Sequence, residues 1–309
     1  MENTTMENTR TKTTRNSLIL LLTAAIWGMA FVSQSKGMDY MHPFTFNGVR
    51  SLIGAASILV YILISRKIAG DKAAPLDWKL NVKAGFLCGI FLTIASTLQQ
   101  FGIKYTSVGK AGFITTLYII FVPMFGIFLK KKVAPVVWAA AVMAAVGMYL
   151  LCMTESLRLG AGDIMVFLCA IAFAIQIMTV DHYAARIDGA VVSCIGALIW
   201  GQPTFGQLQE GLGALLYAGV LSCGVGYTLQ IVGQKGLNPT VAALIMSLES
   251  VIATISGWIA YKIGFLTTDQ TLTARQIAGC VIVFAAVILV QLPPEWFRFG
   301  KKNASIKNA

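Results

Sequence analysis

Thr97-Leu98-Gln99-Gln100-Phe101-Gly102-Ile103-Lys104 returns 131 residues later as Thr228-Leu229-Gln230-Ile231-Val232-Gly233-Gln234-Lys235. At the same offset Ala111, Ile114, Leu117 and Gly126 meet Ala242, Ile245, Leu248 and Gly257, so nine identities fall between 97 and 126. An apolar composition alone does not give that density. In both copies the stretch closes one apolar segment and leads into the next. That is the mark of an internally duplicated membrane protein.

Working outward from the repeat, the rest of the 309-residue chain is mostly apolar. It is 57% hydrophobic and 12% charged, with a mean hydropathy of +0.74, whereas soluble domains carry about 25% charged residues. Ten segments have the character of spans: 18–34, 43–65, 82–103, 111–129, 133–153, 162–183, 189–202, 212–233, 240–261 and 276–292. A helix needs about 20 apolar residues to cross about 30 Å of hydrocarbon. Lipid offers the backbone no hydrogen-bond partner, so each span must be helical. The expected fold is an all-α integral membrane protein with ten transmembrane helices. Residues 17–153 and 160–293 form its two five-helix halves, between a disordered polar tail at 1–16 and a basic tail at 294–309.

Charge sets the expected orientation. The net charge is +11, which in a soluble protein would suggest nucleic acid. Here the basic residues lie between apolar segments, so the expected partner is the lipid bilayer and not nucleic acid. With the N-terminus inside, seventeen of the 24 Lys and Arg residues fall on the inner side and six on the outer. The positive-inside rule then predicts a plasma-membrane protein with both termini cytoplasmic. In this arrangement Lys104 is outside and its repeat mate Lys235 inside, so the halves are a 5+5 inverted-topology repeat. Segment 189–202 is the weak member, shorter than a full crossing and holding Gly196 and Gly201.

Several motifs join this pattern: Ala25-Ile26-Trp27-Gly28, Phe46-Asn47-Gly48-Val49-Arg50, Gln99-Gln100-Phe101-Gly102-Ile103-Lys104-Tyr105-Thr106-Ser107 and Lys130-Lys131-Lys132. With them the chain resembles the drug/metabolite transporter superfamily, EamA-like family, over residues 17–293. The resemblance implies a central cavity and secondary transport of a small molecule. It departs from the family pattern at the short segment 189–202 and at 261–269, which reads as an insertion.

Ionisable groups at membrane depth are costly and default to functional hypotheses. Glu249 lies ten residues into the ninth span and is the expected proton-coupling residue, since a bare carboxylate there is unfavourable. The offset places it opposite Tyr118, equally deep in the fourth span. Trp27, Asn47, Arg50, Gln99, Gln100, Tyr118, Gln176, Tyr227 and Gln230 are the expected substrate-binding residues, because polar groups on apolar helices face a wet cavity or one another. For each of them, bonding between helices is the plainer alternative. Pro123 should kink the fourth span.

No Walker motif, HExxH or Gly-x-Ser-x-Gly occurs, so no enzyme is expected. The six cysteines show no CxxC and read as packing residues. His42 and His182 have no local partners, so neither a metal nor a cofactor is expected. The function expected is a secondary transporter, acting as an exporter of small metabolites, amino acids or drugs. It would work as a monomer or homodimer, proton-coupled by alternating access. An inactive or partner-dependent membrane protein is the alternative, prompted by the short 189–202 segment. An intramembrane enzyme or flippase of similar span count is a third.

Overall fold

The computed structural model describes residues 2–69, 77–106, 108–130, 133–152, 160–183, 209–266 and 271–291, and every regular element among them is helical. In chain order these are α1 (Glu2–Gly37), α2 (Pro43–Ala69), α3 (Trp78–Tyr105), α4 (Val108–Thr116), α5 (Tyr118–Phe128), α6 (Pro135–Cys152) and α7 (Ala161–Tyr183). Then come α8 (Leu212–Leu216), a π-helix (Tyr217–Gly226), α9 (Tyr227–Gln234), α10 (Pro239–Met246), α11 (Leu248–Lys262) and α12 (Ala274–Gln291).

Among the described residues seven stretches are long and apolar enough to cross a membrane: Thr11–Gly37, Pro43–Ile68, Lys79–Tyr105, Ala111–Phe128, Ala161–Tyr183, Leu212–Gln234 and Pro239–Lys262. Pro135–Leu150 and Ala274–Leu289 are shorter apolar helices. The expected segment 189–202 and the tail 294–309 lie outside the described residues. The helices turn large apolar side chains outward, as at Ile68 and Phe128, 82% and 79% exposed. Their polar side chains, among them Arg50, Gln99, Gln230 and Glu249, are buried. That is the distribution lipid demands.

At the N-terminus α1 begins at Glu2, so the helix takes in residues of the polar tail. Once the apolar part of α1 is helical, each preceding residue joins at the small cost of propagation rather than of nucleation.

Two long spans are interrupted, and at matching places. The span Ala111–Phe128 breaks between α4 and α5 at Leu117, and Pro239–Lys262 breaks between α10 and α11 at Ser247. The two linking residues have nearly the same backbone, φ −57° ψ −11° at Leu117 and φ −61° ψ −15° at Ser247. At each break a hydroxyl turns back on its own helix. Thr116 Oγ1 donates to Phe113 O at 2.9 Å, and its repeat mate Ser247 donates through Oγ to Leu244 O at 2.7 Å. Such back-bonding competes with the helical ladder and bends it. The helix α5 runs on through Pro123, so the break lies ahead of the proline and not at it.

Packing arranges the spans around a centre. Helix α3 lies against α7, α6 against α12, α1 against α11 and α9, and α2 against the π-helix. The α1–α11 approach depends on Gly28, where an added Cβ would sit 2.6 Å from Ile252 Cβ and 2.7 Å from Glu249 O. Only hydrogen at that position lets α1 reach the backbone beside Glu249.

Candidate functional site

The centre of the helix assembly holds a cavity with about 460 Å³ of empty space. Eight of the ten residues that the sequence singles out line it: Trp27, Arg50, Gln99, Tyr118, Gln176, Tyr227, Gln230 and Glu249. They come from seven different elements, separated in sequence but brought together by the packing just described. Asn47 and Gln100 do not reach it. Asn47 Nδ2 donates to Ser96 O at 3.0 Å, and Gln100 Nε2 donates to Gln34 O at 3.4 Å.

The broken helices supply the central acid and its partner. Tyr118 is the first residue of α5 and Glu249 the second of α11. The Tyr118 hydroxyl donates to Glu249 Oε1 at 3.1 Å. Glu249 is 4% exposed and Tyr118 3%. Taking a charge out of water costs several kcal/mol unless it is compensated. One neutral hydroxyl compensates a carboxylate only in part.

Arg50 reaches the cavity from α2. It is 3% exposed, and its guanidinium lies over the Phe46 ring at 5.6 Å. Among the described residues the ion pair within 4.0 Å is Lys36–Asp39, at the end of α1. Arg50 and Glu249 therefore share one cavity without pairing with each other. The site offers a fixed cation and an acid to whatever occupies it.

Amides and aromatics complete the wall. Gln176 and Gln230 exchange two bonds, each Nε2 donating to the other's Oε1 at 3.2 Å. Gln99 Nε2 donates to Thr115 Oγ1 at 3.3 Å. The Trp27 and Tyr227 rings lie 5.0 Å apart at 58°. Trp27 Nε1 donates to Ser222 O at 3.2 Å, a carbonyl that belongs to the π-helix. The wider π turn is a recurring device at functional sites. Gly226 closes this contact, since a Cβ there would sit 2.5 Å from Trp27 Nε1.

Phe31, Gln34, Thr115, Phe173 and Ser222 also line the cavity, beyond the residues that the sequence singles out. Gln34 carries a readable signal, an amide in the last turns of an apolar helix. Thr115 and Phe173 look like ordinary span residues. Ser222 contributes through a backbone carbonyl, which no side-chain pattern announces.

The comparisons with known proteins agree with this architecture. The model of the EamA-like transporter family matches residues 15–153 and again 160–292. An uncharacterized transporter of Archaeoglobus fulgidus is 28% identical over 289 residues, covering 88% of this chain and 84% of its own. The uncharacterized transporter YwfM of Bacillus subtilis is 26% identical over 294 residues, covering 90% and 94%. A solved crystal structure, titled only as that of a protein, superposes with a TM-score of 0.68 at 16% identity. It covers 92% of this chain and 99% of its own, and it speaks for the fold alone. The chain is a multi-pass membrane protein and belongs to the EamA-like transporter family.

Proposed function

We propose that the chain is a secondary transporter of the cell membrane that exports small zwitterionic metabolites, amino acids or drugs of similar chemistry. The observation that carries this reading is a buried Arg50 and a buried Glu249 that line one cavity without an ion pair between them. Sites for small molecules place a few polar groups in an otherwise apolar lining. Arg50 is the group for a carboxylate or other anion, since guanidinium pairs with it in a fork. Trp27 and Tyr227 present ring faces suited to an ammonium or an apolar side chain. Glu249 takes a proton when the cavity is dry and yields it when the cavity is wet, which couples substrate movement to proton movement.

A 5+5 inverted repeat with both termini cytoplasmic underlies the reading. Three features support the repeat. The halves repeat at offset 131, and the Tyr118–Glu249 bond joins residues 131 apart. The two helix breaks fall within one residue of each other in that register. The repeat mates Gly102 and Gly233 each pack against the first helix of the other half. Transport then proceeds by rocking one half against the other around the cavity.

The test uses purified protein screened by thermal shift against the proteinogenic amino acids, with any hit followed as efflux from loaded proteoliposomes under a proton gradient. Glu249→Gln keeps the shape and removes the titration. It should keep the thermal shift and lose accumulation against a gradient. Arg50→Gln should lose the thermal shift for carboxylate-bearing hits. If Glu249→Gln accumulates substrate like the parent, proton coupling through Glu249 is wrong.

A further inference from the structure

A second cavity adjoins the central one. It is the smaller, with about 240 Å³ of empty space against about 460 Å³. Cys88, Gly89 and Leu92 line it from α3, Val180 from α7 and Ile231 from α9. Gln176 and Tyr227 line both cavities, so the two meet at these residues.

The helical period explains the arrangement. Val180 follows Gln176 by four residues on α7, and Ile231 follows Tyr227 by four on α9. Residues four apart stand one above the other on the same face of a helix. One turn along both helices therefore leads from the wall of the first cavity to the wall of the second, and polar groups give way to aliphatic ones. On α3, Cys88 and Leu92 have the same spacing, with Gly89 beside them. A glycine inside a helix is unfavourable relative to alanine, and here it keeps a side chain out of the pocket.

The pocket belongs to the interior. Cys88, Val180 and Ile231 are 3%, 1% and 2% exposed and pack with Ala84 in one apolar cluster. The side chains that α3 exposes are others, among them Val82, Phe86 and Ile94. An acyl chain of the bilayer meets those, whereas a molecule in the central cavity meets the pocket. The charges of Arg50 and Glu249 both act on the Tyr227 hydroxyl. A zwitterion held by these two groups is therefore beside the wall that the cavities share.

We propose that this pocket is a specificity subsite, taking the aliphatic or thioether side chain of an α-amino acid whose carboxylate and ammonium sit at Arg50 and Glu249. The proposal rests on the zwitterion reading above. Leu92, Val180 and Ile231 offer contact but no hydrogen bond, so a polar side chain would give up its water there without return. The Tyr227 ring is already paired with Trp27 at 5.0 Å, and among the described lining residues no other ring stands ready to stack on an aromatic side chain. Leucine, isoleucine and methionine fit this lining, and glycine, serine and glutamine do not use it.

The test titrates purified protein with glycine, alanine, leucine, methionine, glutamine and phenylalanine by isothermal calorimetry. Burial of one methylene is worth about a four-fold change in Kd. Leucine, larger than alanine by three carbons, should then bind on the order of fifty-fold more tightly. Glutamine has the length of methionine but should bind more as alanine does. Val180→Phe fills the pocket from α7 and should remove most of the leucine-to-alanine ratio. Ile231→Phe fills it from α9 and repeats the measurement where the first variant is poorly folded.

Equal binding of alanine and leucine by the parent, or a leucine preference that survives both substitutions, would overturn the subsite while leaving the zwitterion site standing. Tighter binding of phenylalanine than of leucine would overturn the aliphatic assignment. A parent that binds none of these amino acids overturns the zwitterion reading, and the subsite with it.

Discussion

Two helix crossings hold equivalent places in the repeat and differ in how their polar groups are matched. At the α3–α7 crossing, an added Cβ on Gly102 would sit 2.2 Å from Val166 Cγ2 and 3.0 Å from Gly162 O. At the α1–α9 crossing, a Cβ on its mate Gly233 would sit 2.8 Å from Leu20 and 3.2 Å from Asn16 O. The backbones are close in both. Beside the first crossing stands Asp163, with Oδ1 accepting from Thr106 Oγ1 at 2.7 Å and Oδ2 accepting from the Gly160 N–H at 2.8 Å. Beside the second stands Asn16, with one bond made and one oxygen unpaired, next to a Gln234 with neither end paired. Polar groups at the first crossing are satisfied by a permanent contact. Those at the second are not. The difference is one of matching: both Asp163 oxygens are bonded beside α3–α7, whereas Asn16 beside α1–α9 makes one bond through its amide nitrogen.

The comparison can be broken most directly at Asp163. Asp163→Ala removes two bonds to a carboxyl and strands their donors, and such bonds are worth about 1.5–3 kcal/mol each. A loss of about 3 kcal/mol, read as a large drop in the melting temperature of detergent-purified protein, is expected. Next come the glycines. Gly102→Ala should cost about 1–3 kcal/mol by overpacking. Gly233→Ala should cost less, because its nearest neighbour is the movable end of the Leu20 side chain. The smallest effect belongs to Asn16→Ala. It loses one neutral bond but also removes an unpaired oxygen, and a net change below about 1 kcal/mol is expected. If Asn16→Ala costs as much as Asp163→Ala, the polar groups at the two crossings are equally well matched and the contrast is lost.

Much of this architecture is legible in the chain itself. The spans announce themselves because lipid permits only helices and only apolar faces. Among the described residues their ends fall within a few residues of those that hydropathy marks, except at α1, whose polar first turns extend the helix. The shared depth of Tyr118 and Glu249 follows from the repeat, since one offset relates them. Their contact does not follow, because depth says nothing about direction around the helix. The helix breaks escape a sequence reading for a local reason. Thr116 and Ser247 count as mild residues in any span, and only their hydroxyl geometry shows that they turn back on the ladder. Pro123 draws attention because it lacks a donor, yet the chain bends ahead of it. The π-helix leaves no trace in composition, since Tyr217–Gly226 is as apolar as an ordinary span. Asn47 and Gln100 are polar and buried, as their setting on apolar helices implies, but they sit one layer away from the cavity.

The bond between Tyr118 and Glu249 has a consequence for how such a chain can arise. In a sequence that repeats at 131, a contact between residues 131 apart is a contact of one position with itself. In a twofold dimer of identical halves, that position would face its own copy, as every residue on an isologous axis does. Two tyrosines there make a tolerable neutral pair. Two glutamates would set like charges against each other and push one of them to stay protonated. The unlike pair is open to copies that have drifted apart, as these two have. An acid that faces a tyrosine at the centre of this molecule is therefore a property of two copies that differ, and it is absent from either copy paired with itself.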